Sequence, residues 1–187
     1  MALLTLQDFI REMEELTTIE TDPRCITELG KPLLQQLVSH PDAIEERFQR
    51  GGSHGHGRYL LHRAPRFNVT AVVWRPGDVA TAHNHRTWGM IGVIANEIQE
   101  SRFRRLDDGT KEGYAELETT DVLVHTPRAV SVLIPPEDDI REMLNHTPRH
   151  TVEIHVYGKD LVDLERLRFD PDTKSYATFC SAKYDNC

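Results

Sequence analysis

The chain has 187 residues, 39% of them hydrophobic, with a formal net charge of −8. That is enough apolar material for one domain with a buried core, and an acidic balance without a Lys/Arg-rich stripe argues against a nucleic-acid partner. No apolar run is long enough to span a bilayer, the opening MALLTLQDFIREMEEL turns acidic before any signal-peptide cleavage pattern, and Cys25, Cys180 and Cys187 are too scattered for a disulfide framework, so a cytoplasmic, reduced protein is expected. In chain order, Leu6, Phe9, Ile10, Met13 and Leu16 form one apolar helical stripe with Thr5 as its N-cap. A second helix is expected after Asp22 and Pro23, running through LLQQLVSH, and a third over DAIEERF. GGSHGHG, residues 51–57, reads as a linker, dividing a helical segment over 1–50 from a β-rich part over 51–187, the two forming one structural domain.

Beyond the linker come short extended runs: RYLLH, FNVTAVVW, TWGMIGVIA, ESRFRRL, DVLVH, AVSVLIPP and TVEIHVYG, with a turn at DPDT and a closing strand in the tail. Many short strands between turn residues predict a β-sandwich or barrel. The run RFRR at 102–105 reads as a solvated strand face.

The ten histidines divide into groups. His40 and His62 are isolated, and His54 and His56 fall in the glycine-rich loop, where no fixed geometry is expected. His83 and His85 follow PGDVATA, where an extended backbone would send both imidazoles out of one face, as a metal pair requires. Neutral imidazole suits iron, zinc, copper or nickel. In TVEIHVYG the same alternation aligns Glu153, His155 and Tyr157, so a carboxylate, an imidazole and a phenol point together and need partners if they face inward.

GDVATAHNH, residues 77–85, matches the first cupin motif, G-x-x-x-x-x-H-x-H. With the stretch PGDVATAHNHRTWGMIGVIANEIQESRFRRLDDGT, then IHVYGKDL and RFDPDT, the chain from about residue 57 onward resembles the thiol dioxygenases, the cysteine dioxygenase and 3-mercaptopropionate dioxygenase group of cupins. The resemblance implies a mainly β fold, a cupin-type double-stranded β-helix (a small β-barrel) with an N-terminal helical segment. It also implies a mononuclear Fe(II) held by three histidines, and O2 added to a small thiol to give a sulfinate. His83 and His85 match two ligands, and His155 with Tyr157 match two members of the family's Ser-His-Tyr relay, Glu153 standing in place of the serine. Met90 matches the position where animal cysteine dioxygenases carry a crosslinking cysteine, so Tyr157 has no thioether partner.

The later cupin motif, P-x-G-x-x-H-x-x-x-N, appears as PEDDIREMLN, residues 136–145, with Arg141 at the third histidine's position. A guanidinium offers no lone pair to a cation. Three other donors are candidates: His146 and His150, if their turn folds over the barrel mouth, and Glu153, which with two histidines would form a facial triad. Alternatively Arg141 and Glu153, on adjacent antiparallel strands, would satisfy each other's charge and leave water, or nothing, in the third place. Arg58 and Arg166 lie near the two positions the family uses to hold a substrate carboxylate. The expected function is therefore that of a thiol dioxygenase-like iron enzyme acting on a small carboxylate of the cysteine or 3-mercaptopropionate type. The alternatives are a diverged cupin oxygenase or isomerase with a non-thiol substrate, and a non-catalytic cupin in which Arg141 anchors a carboxylate. A monomer or small homo-oligomer is expected.

Overall fold

A computed structural model describes residues 4–52 and 56–187; His54 lies outside them. Helix α1 (Leu6–Ile19) opens with a capping box. The Thr5 side chain accepts from the Asp8 backbone N–H, and the Asp8 carboxylate in turn accepts from the Thr5 N–H. Helix α2 (Pro23–Leu37) starts on Asp22, whose carboxylate accepts from the Arg24 N–H at 2.7 Å, with Pro23 at the first helical position. The third expected helix does not form. Its segment makes two 3-10 turns, Pro41–Ala43 and Glu46–Gln49, each without a side-chain cap. Between them Ile44 is extended and drops into the core, which a continuous helix would prevent.

Eleven strands follow: β1 (Gly57–Arg63), β2 (Asn68–Trp74), β3 (Val79–His83), β4 (Gly89–Ala95), β5 (Ile98–Arg105), β6 (Leu117–His125), β7 (Val130–Leu133), β8 (Ile140–Leu144), β9 (Thr151–Tyr157), β10 (Arg166–Asp170) and β11 (Ser175–Phe179). They pair antiparallel in two sheets, of order β1-β2-β9-β4-β7 and β11-β10-β3-β8-β5-β6. This is the double-stranded β-helix expected, with the helices at its N-terminal end.

The two faces of the five-stranded sheet have separate tasks, which follow from alternation along each strand. Val69, Ala71, Val73, Met90, Ile154 and Val156 turn outward and pack under Phe9, Met13, Leu34 and Leu37 of the two helices. The intervening residues Val72, Trp74, Ile91, Val93 and Tyr157 turn toward the second sheet and build smaller clusters there. Strands β2 and β9 are consequently buried along their whole length. Among the described residues no helix is long and apolar enough to cross a membrane.

Alternation also corrects one position. Met90 belongs to the outward, helix-covered face, so it does not meet Tyr157. The residue paired with Tyr157 across the ladder is Gly89. A Cβ on Gly89 would lie 2.6 Å from the Tyr157 ring, so the ring occupies space that a larger residue would need. Gly89→Ala is therefore expected to cost about 1–3 kcal/mol, as overpacking of a full core does. Urea unfolding measures it; a change within about 0.5 kcal/mol would mean that the ring moves freely.

Candidate functional site

Between the sheets lies a cavity lined by His83, His85, His155, Tyr157, Arg58, Arg141 and Arg166. Its inner volume is about 80 Å³, room for a few non-hydrogen atoms. The structure thus brings these seven sequence-predicted residues together, from both sheets and from the segment after β3.

His83 ends β3, and His85 lies beyond the strand. The side-by-side placement of the rings, 4.7 Å between centroids, is therefore not the work of strand alternation alone. Asn84 is tied to β10 in both directions, donating its N–H to the Leu167 carbonyl and accepting the Leu167 N–H on its side chain. Asp139 accepts the N–H groups of His85 and Arg86, the latter at a positive φ of 57°. Each ring is then oriented through Nδ1, His83 on the Thr81 carbonyl at 2.7 Å and His85 on the Asp139 carbonyl at 3.1 Å. Nδ1 carries the proton in that arrangement, and Nε2 of both rings keeps its lone pair. Burial, with the charge of Arg166, pushes the His83 imidazole down to about 4. Burial and the neighbouring His83 ring push His85 well down too. Both are neutral at pH 7.

On β9, the inward face carries a continuous chain of polar groups. The Trp74 indole N–H donates to Glu153 Oε2 at 2.6 Å, His155 Nε2 lies 3.0 Å from the same oxygen, and His155 Nδ1 lies 2.9 Å from the Tyr157 hydroxyl. Glu153 Oε2 already accepts from the Trp74 indole, and with His155 donating to the same oxygen through Nε2 the ring accepts the phenolic proton at Nδ1. Burial pushes the Tyr157 phenol far up, which keeps it protonated. Its oxygen, having donated to His155, has lone pairs left for a donor in the cavity, beside the stacked His85 ring at 5.5 Å.

Arg141 stands directly opposite His83 in the β3–β8 ladder, with its side chain on the same face. Its guanidinium is 1% exposed and lies 2.6 Å from Glu100, donating also to Ser131 and to the Val132 carbonyl. Arg166, 2% exposed, donates to the Asn84 carbonyl and to Ser181, and stacks on Phe179. Arg58, half-buried, donates to the Ala182 carbonyl at 2.5 Å and lies over Tyr184.

Several expectations change. Arg141 and Glu153 do not pair: β8 and β9 belong to different sheets, and each residue has found its own partners. His146 does not cover the mouth; it is substantially exposed and pairs with Glu97 at 3.3 Å. His150 is exposed in the same turn, and neither residue lines the cavity. The RFRR run is not wholly solvated, since Arg102 reaches Glu100 and Ser131. Two contributors were missed. His56 lines the cavity and stacks on Trp74 at 4.6 Å, and its H-x-H spacing with His54 was the signal that could have found it. Glu100, wholly buried, accepts from His125 and Ser131 as well as Arg141, and nothing in its local sequence distinguishes it.

The donor set decides what the cavity can hold. Two imidazole lone pairs are present, but among the described residues no group of three His, Cys, Asp or Glu side chains could hold a metal ion. The charges of Arg141 and Arg166, which help to keep both imidazoles neutral, act equally against a dication. These residues do not fit a resident Fe(II).

No family model matches the chain. Among solved structures, a double-stranded β-helix protein from Klebsiella pneumoniae is similar at 13% identity, covering 73% of this chain and 88% of that one, with a TM-score of 0.47. A cupin superfamily protein from Desulfitobacterium hafniense matches at 11% identity over 64% and 87% of the two chains, with a TM-score of 0.42. An oxalate oxidase in complex with the substrate analogue glycolate matches at 16% identity over 62% and 59%, with a TM-score of 0.45. At these identities and scores none of them bears on what this chain does.

Proposed function

We propose that the cavity binds a small carboxylate-bearing molecule through its arginines, and does so without a resident metal. The observation that carries this reading is Arg141: a guanidinium faces His83 across the ladder, at the position where the resemblance to thiol dioxygenases calls for a third imidazole. Arg166, buried beside it with no carboxylate within 4 Å among the described residues, supplies a planar donor fork suited to a ligand's carboxylate. The Tyr157 oxygen would accept from a thiol, hydroxyl or ammonium on the same ligand. His83 and His85 would accept similarly through Nε2, and Glu153 would hold His155 in the tautomer that takes the phenolic proton. A short ligand no larger than 3-mercaptopropionate, reaching toward the open mouth, suits the space.

Calorimetric titration of chelator-treated protein with 3-mercaptopropionate tests this. Binding is expected without metal, and Arg166→Ala is expected to weaken it at least about tenfold, the loss of one charge-assisted bidentate pair. The second reading is the thiol dioxygenase itself, which the two free Nε2 lone pairs favour. Oxygen uptake on adding Fe(II) with cysteine or 3-mercaptopropionate, with sulfinate as product, would overturn the metal-free reading in its favour.

A further inference from the structure

The charges around the cavity do not balance. Arg141 has a counter-ion in Glu100. Arg58 and Arg166 have none: among the described residues no carboxylate oxygen lies within 4 Å of either guanidinium, although Arg166 is 2% exposed and its Nε has no hydrogen-bond partner. Asp139, the carboxylate whose charge acts on Arg166, is already occupied by the N–H groups of His85 and Arg86. The two cations are also neighbours. Arg58 donates to Ala182 and Arg166 to Ser181, adjacent residues of the tail, and both arginines line the cavity and its mouth.

Like charges held together in a partly desolvated site without counter-ions are costly, and buried charges are normally paired. The chain has not relieved that cost by turning either side chain outward. The backbone and hydroxyl partners from residues 84, 181 and 182 fix both guanidiniums in place, which is how a site is prepared for anions that arrive from outside. The arginines come from opposite sheets, Arg58 from β1 and Arg166 from β10, and each is held by its own residue of the tail, Ala182 for one and Ser181 for the other. Two separately mounted forks suit two separate anionic groups better than one.

We infer that the ligand of this cavity is a small dicarboxylate, one carboxylate held by buried Arg166 and the other by Arg58 at the mouth. This rests on the reading of the cavity as a metal-free small-carboxylate site and names the substrate class. With the second carboxylate at the mouth, outside the inner volume of about 80 Å³, only a short carbon chain fits between the two.

Calorimetric titration of the full chain with malonate, succinate, glutarate, propionate, 3-mercaptopropionate and inorganic phosphate tests the inference. Malonate or succinate is expected to bind at least tenfold tighter than propionate. Arg58→Gln, which keeps a donor for the Ala182 carbonyl, is expected to lower dicarboxylate affinity at least tenfold and propionate affinity much less, so that the two converge. Arg166→Lys is expected to weaken both. Propionate and succinate binding equally, or Arg58→Gln weakening both to the same extent, would overturn the dicarboxylate while leaving the carboxylate site standing. Phosphate binding tighter than every dicarboxylate would overturn it in favour of one dianionic group. Silence from every probe would overturn the carboxylate site as well.

Discussion

Arg141→His is expected to convert a protein that purifies without stoichiometric metal into one that retains it. The new imidazole would rise from β8 directly opposite His83, on the face that His83 already shares, and His85 completes the set. Three neutral nitrogen donors then replace two, and a positive charge beside them disappears. Orientation is already provided, because both existing imidazoles are anchored through Nδ1 to backbone carbonyls. The substitution does not strand Glu100, which keeps His125 at 2.5 Å, Arg102 at 3.3 Å and the Ser131 hydroxyl. An added donor together with a lost repulsion should raise affinity for Fe(II) or Co(II) by on the order of a hundredfold or more. Metal content after purification and a Co(II) titration followed by its visible spectrum would measure this. If wild type binds as tightly as the variant, Arg141 is not what keeps metal out.

How far the sequence could be read depended on whether a feature repeats locally. The helices were legible because apolar spacing and caps at Thr5 and Asp22 are local signals. Strands β2, β4 and β9 were legible as apolar runs bounded by turn residues. The facing of Glu153, His155 and Tyr157 followed from a two-residue period. What failed required knowledge of which strands are neighbours. Arg141 and Glu153 could be paired on paper because both lie on antiparallel strands, yet β8 joins β3 and β5 whereas β9 joins β2 and β4. The same gap hid Glu100, whose partners His125, Ser131 and Arg141 come from three other strands. Met90 was misplaced by a single residue, and one residue is enough to exchange the two faces of a strand. The glycines around His56 hide its role in the sequence, although Trp74 holds its ring in place.

Glu100→Gln is expected to be the most destabilising of these substitutions, although Glu100 does not line the cavity. The amide keeps the size of the carboxylate but leaves Arg141 buried without a counter-charge, and breaking a buried pair from one side costs about 3–5 kcal/mol. Urea unfolding at pH 7 measures the loss. Removing both charges in Glu100→Gln/Arg141→Met should recover part of it, because an apolar side chain needs no partner. No recovery in the double variant would show that the pair is not what Glu100 contributes. The pH dependence gives an independent check. Burial alone would raise the Glu100 carboxyl, but the hydrogen bond from His125 and the charges of Arg141 and Arg102 outweigh it and hold the group at about 2, against an ordinary 4.5. A carboxyl depressed by folding stabilises fully above its unfolded value and loses that contribution as the pH falls, here between about 4.5 and 2. The amount is about 3 kcal/mol in wild type and absent from Glu100→Gln. The cavity histidines act in a higher window. His83 is held at about 4, so between pH 6.5 and 4 protons bind the unfolded chain and not the folded one. Stability should therefore fall in two stages on acidification, and only the lower stage should vanish in Glu100→Gln. Loss of both stages together would mean that the network behind Arg141 and the imidazoles in front of it titrate as one unit.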